Sequence, residues 1–338
     1  MADYPAIGLN LGYWTRGPED HTATVLAAER LGYDLVVTAE AYGSDAFDTL
    51  AWYGARTTRI GLGTAVAQIP ARSPAATAMH ALTLDALSGG RFMLGLGASG
   101  PQVAEGWYGA PFTKPLARTR EYVDIVRQVI ARRGPVTSDG PHYPLPYPDG
   151  TGLGKPLKSI VTPVRERIPI LLGAEGPKNV ALAAEIGDGW LPLFIDPERV
   201  EEVFGSSLAD RPVGFEIAAT VSVVVDDLPA AMSVAKVPLA FYIGGMGARE
   251  RNFHLDLIGR LGFADDAAKV QELFLAGRRA EAIAAVPDEL VDAIALVGPI
   301  DRIVERLDRW RGGPVTTLLF SGVRDEPTLR RLAEAMRD

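Results

Sequence analysis

Residues 168–190 contain a pattern that can bind an anion. A short apolar run from Ile168 to Leu172 ends at Gly173, and a loop of small residues leads to Pro177, after which apolar residues recur at helical spacing. The pattern predicts a strand, a glycine turn and a helix start. Unpaired N–H groups at a helix start favour a phosphate, and glycine lets the backbone approach it. Such turns also serve as plain connections, so an interpretation without a ligand stays open.

Other polar and aromatic groups follow the ends of predicted strands, at Asn10, Trp14, Glu40, Tyr42, Gln68 and residues 99–102. Residue sets that react on their own are missing. The four histidines are isolated in the sequence, no Gly-x-Ser-x-Gly is present, and the chain has no cysteine. We therefore expect no metal site. A chain with binding groups but few reactive ones favours a cofactor that brings its own chemistry.

The elements that position these groups alternate between strand and helix, which is typical of βα units and a parallel sheet. Helical patterns follow most of the strands, for example at residues 22–31, 46–56, 74–87 and 118–132. Eight strands are predicted, at residues 6–13, 34–38, 60–66, 92–96, 168–172, 189–194, 215–225 and 315–320. We predict an α/β fold, a (βα)8 TIM barrel, over a single domain of residues 1–338, with the active site at the carboxyl ends of the strands.

Two segments interrupt the alternation. Residues 134–167, after strand four, are dense in proline and glycine, and we predict an insertion there, with a hairpin near Tyr143, that forms a lid or a dimer contact. Residues 226–312, before strand eight, are predicted to be a mostly helical insertion. The alternative fold, an open doubly wound sheet, is disfavoured because the early Gly61-Leu62-Gly63 runs into strand residues instead of a helix.

Composition limits the classes of partner. The net charge of the 338 residues is -8, and a surface for nucleic acid or anionic membrane needs a basic face. No uninterrupted apolar stretch reaches the roughly 18 residues of a membrane span, and the first residues lack the pattern of a signal peptide. We expect a cytoplasmic protein that acts on a small molecule, with neither nucleic acid nor membrane as a partner.

Four motifs resemble those of the luciferase-like monooxygenase superfamily. They are EAYGSDA at residues 40–46, GTAVAQIPARSP at 63–74, LSGGRF at 87–92 and GLGASGP at 95–101. Within the superfamily they are similar to the branch that depends on coenzyme F420, a deazaflavin, which includes methylenetetrahydromethanopterin reductase and F420-dependent glucose-6-phosphate dehydrogenase. The resemblance covers nearly the whole chain. It implies an eight-stranded barrel with a flavin-like ring at the strand ends, and usually a homodimer.

The resemblance also implies roles for individual residues. It places a non-prolyl cis peptide at Ala65–Val66, against the ring, and brings Gln68 near the ring or its side chain. It implies that the cofactor tail contacts two further sets of residues, which are Gly97, Ala98 and Ser99 along the tail and Gly173, Ala174, Gly176, Pro177 and Lys178 at its phosphate.

Departures from the family pattern affect the chemistry. Relatives carry an Asp-His pair after strand two where this chain has Glu40-Ala41, and the sugar-phosphate dehydrogenase has a glutamate where this chain has Gly100. Oxidation of glucose 6-phosphate is therefore not expected. Glu40 and Tyr42 are the catalytic candidates, with Glu40 contacting the cofactor and either orienting the ring or exchanging a proton. Candidates for substrate contact are Tyr13, Trp14, Gln102 and Trp107, and Tyr13 or a water is an alternative to Tyr42 in completing the proton relay.

The leading functional hypothesis is hydride transfer between the deazaflavin C5 and a C=C, C=N or C=O bond of a small organic substrate. An FMN-dependent monooxygenase of the same fold and a barrel that binds cofactor without turnover remain as alternatives. Arg249, Arg251 and Asn252 are interpreted as a helix start, or alternatively as a site for the acidic tail of the cofactor.

Overall fold

Eight parallel strands close into a barrel in the computed structural model, which describes residues 4–246 and 252–337. In this part of the chain the strands are β1 Ala6–Asn10, β2 Leu35–Thr38, β3 Gly61–Thr64, β4 Ala67–Gln68, β5 Phe92–Gly97, β6 Ile170–Gly173, β7 Gly189–Leu191, β8 Glu216–Val225, β9 Ala295–Gly298 and β10 Thr317–Ser321. The ring runs β1-β2-β3-β5-β6-β7-β8-β10, and it closes because β10 pairs with both β8 and β1. The predicted (βα)8 barrel is confirmed.

Helices connect the strands and cover the outside of the barrel. In the described residues they are α1 Thr22–Arg30, α2 Ala46–Gly54, α3 Pro74–Leu87, α4 Pro101–Gly106, α5 Pro115–Ala131, α6 Pro177–Ile186, α7 Val200–Phe204, α8 Leu228–Gly245, α9 Phe253–Ile258, α10 Ala264–Leu275, α11 Arg279–Ala284, α12 Asp288–Ile294, α13 Ile300–Leu307 and α14 Glu326–Ala335. Shorter 3-10 turns lie at Ile69–Ala71, Gly205–Ser207 and Asp308–Trp310, and a π-helical turn lies at Gly259–Phe263.

The sequence predicts one continuous third strand over residues 60–66, but in the structure this strand is interrupted. Strand β3 ends at Thr64, the peptide bond between Ala65 and Val66 is cis, and the chain resumes pairing as β4. Strand β4 pairs with the end of β5 through Ala67 and Gln68. The cis peptide implied by the family resemblance is thus present at the predicted bond.

Residues 132–169 form an irregular connection between α5 and β6. An isolated antiparallel bridge joins Ser138 to Leu145, in agreement with the predicted hairpin near Tyr143. Arg165 fastens the segment to the barrel, because its guanidinium donates to the buried carboxylate of Asp85 at 2.7 and 3.1 Å. The role of residues 134–167 as a lid or dimer contact stays a prediction.

The segment between β8 and β10 contains helices α8 to α13 and strand β9, and its status as an insertion stays a prediction. Strand β9 pairs with Ser222–Val225 at the end of β8, and Ser222 also pairs with β10. Helices α8 to α12 surround a core of their own, which includes Leu239, Ile258, Val270 and Leu290. Phe194 and Val203 pack against this core and the main core, and so join the two.

Helix α8 is long and apolar enough to span a membrane by length and composition alone. In the structure Leu239 and Ile243 of α8 are buried in the core of the segment. Lys236 pairs with Asp288 at 2.5 Å. One face of α8 thus belongs to the core of the segment, whereas Val234 and Val237 are exposed.

Candidate functional site

The floor of the barrel mouth is formed by Val66, next to the cis peptide. A Cβ atom added to Gly97 would lie 2.5 Å from Cγ2 of Val66, and one added to Gly173 would lie 2.9 Å from Cγ1. The ends of β5 and β6 therefore leave room for the Val66 side chain because both are glycine. Below it lies the inner core of the barrel, made of Leu35, Val37, Met93, Leu171, Leu191, Ala218 and Leu319.

Replacing Gly97 by alanine is expected to lower the free energy of unfolding by about 1–3 kcal/mol, because the new methyl group overlaps a stiff β-branched side chain. Gly106→Ala is the matched control, since a Cβ there has no atom within 4 Å and alanine suits a helix. Urea unfolding of both variants measures the difference. Equal midpoints for the two would contradict the close approach of Val66 to Gly97.

Glu40 is the most heavily bonded side chain of the predicted site. Its carboxylate oxygens accept from Nη1 and Nη2 of Arg72 at 2.5 and 2.8 Å, from the Gln68 backbone N–H at 2.8 Å and from the Ala46 backbone N–H at 3.3 Å. Its side chain is 4% exposed. Arg72 also bonds Asp45, the N-cap of α2. Of the two predicted roles of Glu40, this geometry favours orientation over proton exchange, because both oxygens already accept strong donors.

Gln68 contributes a buried amide beside Glu40. Its Nε2 donates to the Glu40 carbonyl oxygen at 2.9 Å, whereas its Oε1 is buried with no hydrogen-bond partner among residues 4–246 and 252–337. A buried acceptor without a donor costs about 1–3 kcal/mol. The orphaned oxygen fits a flavin-like ring, since the pyrimidine edge of such a ring carries an N–H group.

Two helix starts face the site from neighbouring strands. Helices α4 and α6 follow β5 and β6, and each begins with a glycine N-cap, Gly100 or Gly176, and a proline, without a side-chain cap. Ser99 precedes the first of them in the left-handed region, at φ 63°. Lys178 lies exposed in the first turn of α6. Uncapped N–H groups beside a cation suit an anionic group, as the sequence predicts.

Ala174 and Ala98 are two further residues predicted to contact the cofactor tail. The Ala174 carbonyl accepts from Nε1 of the fully buried Trp190 at 2.7 Å, which fixes the backbone of the loop after β6. Ala98 borders a cavity of about 300 Å³ that Arg72, Arg118 and Tyr143 also line. The cavity therefore adds two guanidinium groups to the space beside a predicted tail residue.

Three aromatic side chains, Tyr13, Tyr42 and Trp107, follow the ends of β1, β2 and β5. Tyr42 and Trp107 are both exposed, with ring centroids 6.5 Å apart, and Tyr13 is half-buried. Burial raises the pKa of Tyr13, and the neighbouring Tyr42 raises it further. Trp14 is fixed through its backbone N–H, which donates to Ser44 at 3.0 Å. Gln102 is exposed in α4. Tyr13 and Tyr42 are thus brought together, and Trp107 joins them through Tyr42.

Sequence reasoning assigned no role to several residues of this site. Arg72 stands inside a quoted motif, but its partners are distant in the sequence. Tyr108 donates to the Ala41 carbonyl at 2.9 Å, and burial, followed by the Glu40 charge, raises its pKa. Three of the four histidines lie beside a carboxylate: His254 is 2.7 Å from Glu175, His21 3.3 Å from Glu19 and His142 3.8 Å from Glu121. Of these carboxylates, only Glu19 is close in the sequence to its histidine.

The predicted anion site at residues 249–252 is described only in part. Arg249 and Arg251 lie outside the described residues. Asn252 caps α9, because its Oδ1 accepts from the backbone N–H groups of His254 and Leu255 at 3.0 and 3.2 Å. The interpretation of Asn252 as a helix start is confirmed.

A family model and known protein sequences identify the same family for this chain. The family model described as luciferase-like monooxygenase matches residues 7–317. A Mycobacterium tuberculosis protein named as a coenzyme F420-dependent oxidoreductase is 55% identical over 93% of this chain and 94% of its own length. The 5,10-methylenetetrahydromethanopterin reductase of Archaeoglobus fulgidus is 31% identical over 87% of each chain. The structure of the coenzyme F420-dependent tetrahydromethanopterin reductase from Methanopyrus kandleri aligns with a TM-score of 0.76 at 22% identity, over 99% of this chain and 98% of that one, and this likeness concerns the fold.

Proposed function

Because the chain belongs to the luciferase-like monooxygenase family, we propose that it is an oxidoreductase that binds coenzyme F420 at the mouth of its barrel. The observation that carries this proposal is the buried Oε1 of Gln68, which has no partner among the described residues. It lies two residues beyond Val66, on the strand end where the ring of the cofactor is expected. Similarity to an F420-dependent relative at 55% identity favours the deazaflavin over FMN.

Different residues of the site are proposed to hold different parts of the cofactor. Val66 would support the ring, and Gln68 would accept a hydrogen bond from its pyrimidine edge. Glu40 holds the Gln68 backbone and is itself held by Arg72. Ala98 and Ser99 would contact the tail, and the uncapped start of α6 with Lys178 would hold its phosphate.

The bound deazaflavin supplies hydride exchange at its C5 position. The protein side of the reaction is to position a small substrate with a C=O, C=N or C=C bond over that atom. Tyr13, Trp14, Gln102 and Trp107 form the substrate wall in this proposal. Tyr42, exposed beside Trp107, contacts the substrate from the same wall.

Binding of F420 by the Gln68→Leu variant tests the proposal. We expect wild-type protein to quench the fluorescence of F420 on binding, and the variant to bind about 3- to 10-fold more weakly, the equivalent of one hydrogen bond. Gln128→Leu is the matched control, because Gln128 is a half-buried glutamine on α5 that bonds Asp124 and the Thr137 backbone N–H and belongs to no part of the proposed site.

FMN, added in the same titration, separates the two cofactors. Binding of FMN but not F420 by the wild-type protein, with oxygen consumption when the FMN is reduced, would overturn the proposal. Unchanged F420 affinity in Gln68→Leu would show that Gln68 does not bind the cofactor, and so would contradict the proposal.

A further inference from the structure

His254 and Glu175 form a pair that joins the helical segment to the barrel. Nδ1 of His254 lies 2.7 Å from Oε2 of Glu175, and the side chains are 16% and 14% exposed. Neither atom has an aligned hydrogen bond within the described part of the chain. The two groups thus meet at ion-pair distance without in-line geometry, and such contacts often tighten when a ligand binds.

The imidazole is enclosed by aromatic rings. The ring centroid of Tyr242 lies 4.8 Å from that of His254, and the Phe194 centroid lies 6.0 Å away, both edge-on. Asn252 holds the start of α9 against the end of α8, because its Nδ2 donates to the carbonyls of Tyr242 and Ile243 at 3.2 and 2.6 Å. The position of the imidazole is therefore set by two aromatic rings and by the anchored start of α9.

The pair lies at the mouth of the barrel. Glu175 stands between Ala174 and Gly176, in the loop after β6 where the cofactor is proposed to bind. Burial raises the pKa of Tyr242 to about 12, and the charges of Tyr13, Glu175 and Tyr42 add to the rise. Tyr242 therefore shares one electrostatic environment with the proposed substrate wall and with Glu175, and His254 packs directly against it.

Other ionisable groups face the pair from the surrounding elements. Nη2 of Arg260, in the π-helical turn, donates to the Glu175 carbonyl oxygen at 2.7 Å, and its Nε is buried without a partner among the described residues. The phenol of Tyr242 packs against the imidazole, and Tyr13 and Tyr42 act electrostatically on Tyr242. A carboxylate on one ring nitrogen selects the tautomer and leaves the other nitrogen to exchange a proton.

We propose that His254 is the catalytic residue that exchanges the proton of the reaction and that Glu175 positions it. The inference rests on the proposed hydride transfer. In the direction of carbonyl reduction, a hydride from the reduced deazaflavin forms the new C–H bond, and the C=O π pair moves onto oxygen. That oxygen takes the proton from Nε2 of His254, so an N–H bond breaks, an O–H bond forms, and neutral imidazole remains. The pair takes the place of the relay histidine that Ala41 replaces.

His254→Gln and Glu175→Gln test the proposal, with His80→Gln as the control, since His80 is exposed on α3 and stacks on Phe47. Reduced F420 is offered with cyclohexanone, 1-pyrroline or cyclohex-2-enone. We expect His254→Gln to bind F420 within about twofold of wild type but to lose about 10²- to 10⁴-fold in kcat. The control variant keeps wild-type kcat.

Nitrogen NMR of the histidine rings gives a readout independent of turnover. In the neutral imidazole that the transfer leaves, we expect the wild-type His254 to hold one tautomer, with the proton on Nδ1, and Glu175→Gln to convert it to a mixture, while the His80 signals stay unchanged. An unchanged His254 tautomer in Glu175→Gln would contradict the positioning role of Glu175. Full kcat in His254→Gln would contradict proton exchange by His254. Failure of the wild-type protein to bind F420 overturns the proposed function instead.

Discussion

Replacing Arg72 by glutamine is expected to lower the free energy of unfolding by about 3–5 kcal/mol, because it leaves the Glu40 carboxylate buried without its cation. Arg72 is 15% exposed and Glu40 4%, so water cannot take over the lost contacts. The same guanidinium also bonds Asp45 and lies over the ring of Phe47 at 5.0 Å. Urea unfolding, with the slope compared between variants, measures the loss.

Arg120→Gln is the matched control. Arg120 makes the same two-pronged contact with Glu185, at 2.6 and 2.5 Å, but the two side chains are 49% and 59% exposed. Exposed pairs contribute about 0–1 kcal/mol. Comparable losses in the two variants would show that burial does not govern the strength of the Arg72 contact.

The double variant Glu40→Gln with Arg72→Gln separates the charge from the packing. We expect it to be more stable than Arg72→Gln alone, since no buried charge remains unpaired. F420 affinity should fall in both variants, because the Glu40 side chain that accepts from the Gln68 backbone N–H is no longer held by Arg72. Retained affinity and stability in Arg72→Gln would remove Glu40 from its proposed orienting role.

Local patterns predicted the barrel because its strands are short apolar runs bounded by turns. The eight strands of the ring were identified, although boundaries moved: β1 ends at Asn10 instead of residue 13, and β7 ends at Leu191 instead of 194. Helix α4 was missed, since Gly100 and Pro101 indicate a turn as readily as a helix start. Strand β9 was missed because four residues between helices carry no distinct period.

Contacts between distant residues could not be predicted in the same way. The Arg72–Glu40 pair spans 32 residues, and nothing local to Arg72 indicates its partner. His254 and Glu175 come from different parts of the fold, and the helical segment that brings them together is organised by its own core. The cis peptide at Ala65–Val66 was reached only through resemblance, since the surrounding residues have an ordinary strand composition.

Trp190→Ala is expected to lower the free energy of unfolding by about 3–5 kcal/mol, through the cavity that loss of a buried tryptophan creates. The ring is fully buried in β7 and packs edge-on against Phe204, with centroids 4.7 Å apart. Its N–H holds the Ala174 carbonyl at 2.7 Å. Because Ala174 lies in the loop proposed to hold the cofactor phosphate, F420 affinity should fall together with stability.

Trp190→Phe separates the hydrogen bond from the packing. A phenyl ring fills most of the space but leaves the Ala174 carbonyl without its donor, so we expect a stability loss of about 1–3 kcal/mol with a clear loss of F420 affinity. Trp52→Ala is the control, since Trp52 is 51% exposed and its contacts with Thr22 and Arg56 lie at the surface, so we expect a stability loss of about 1 kcal/mol and wild-type F420 affinity. Wild-type F420 affinity in Trp190→Phe would mean that the Ala174 backbone does not depend on this bond, and the proposed tail site would then need another support.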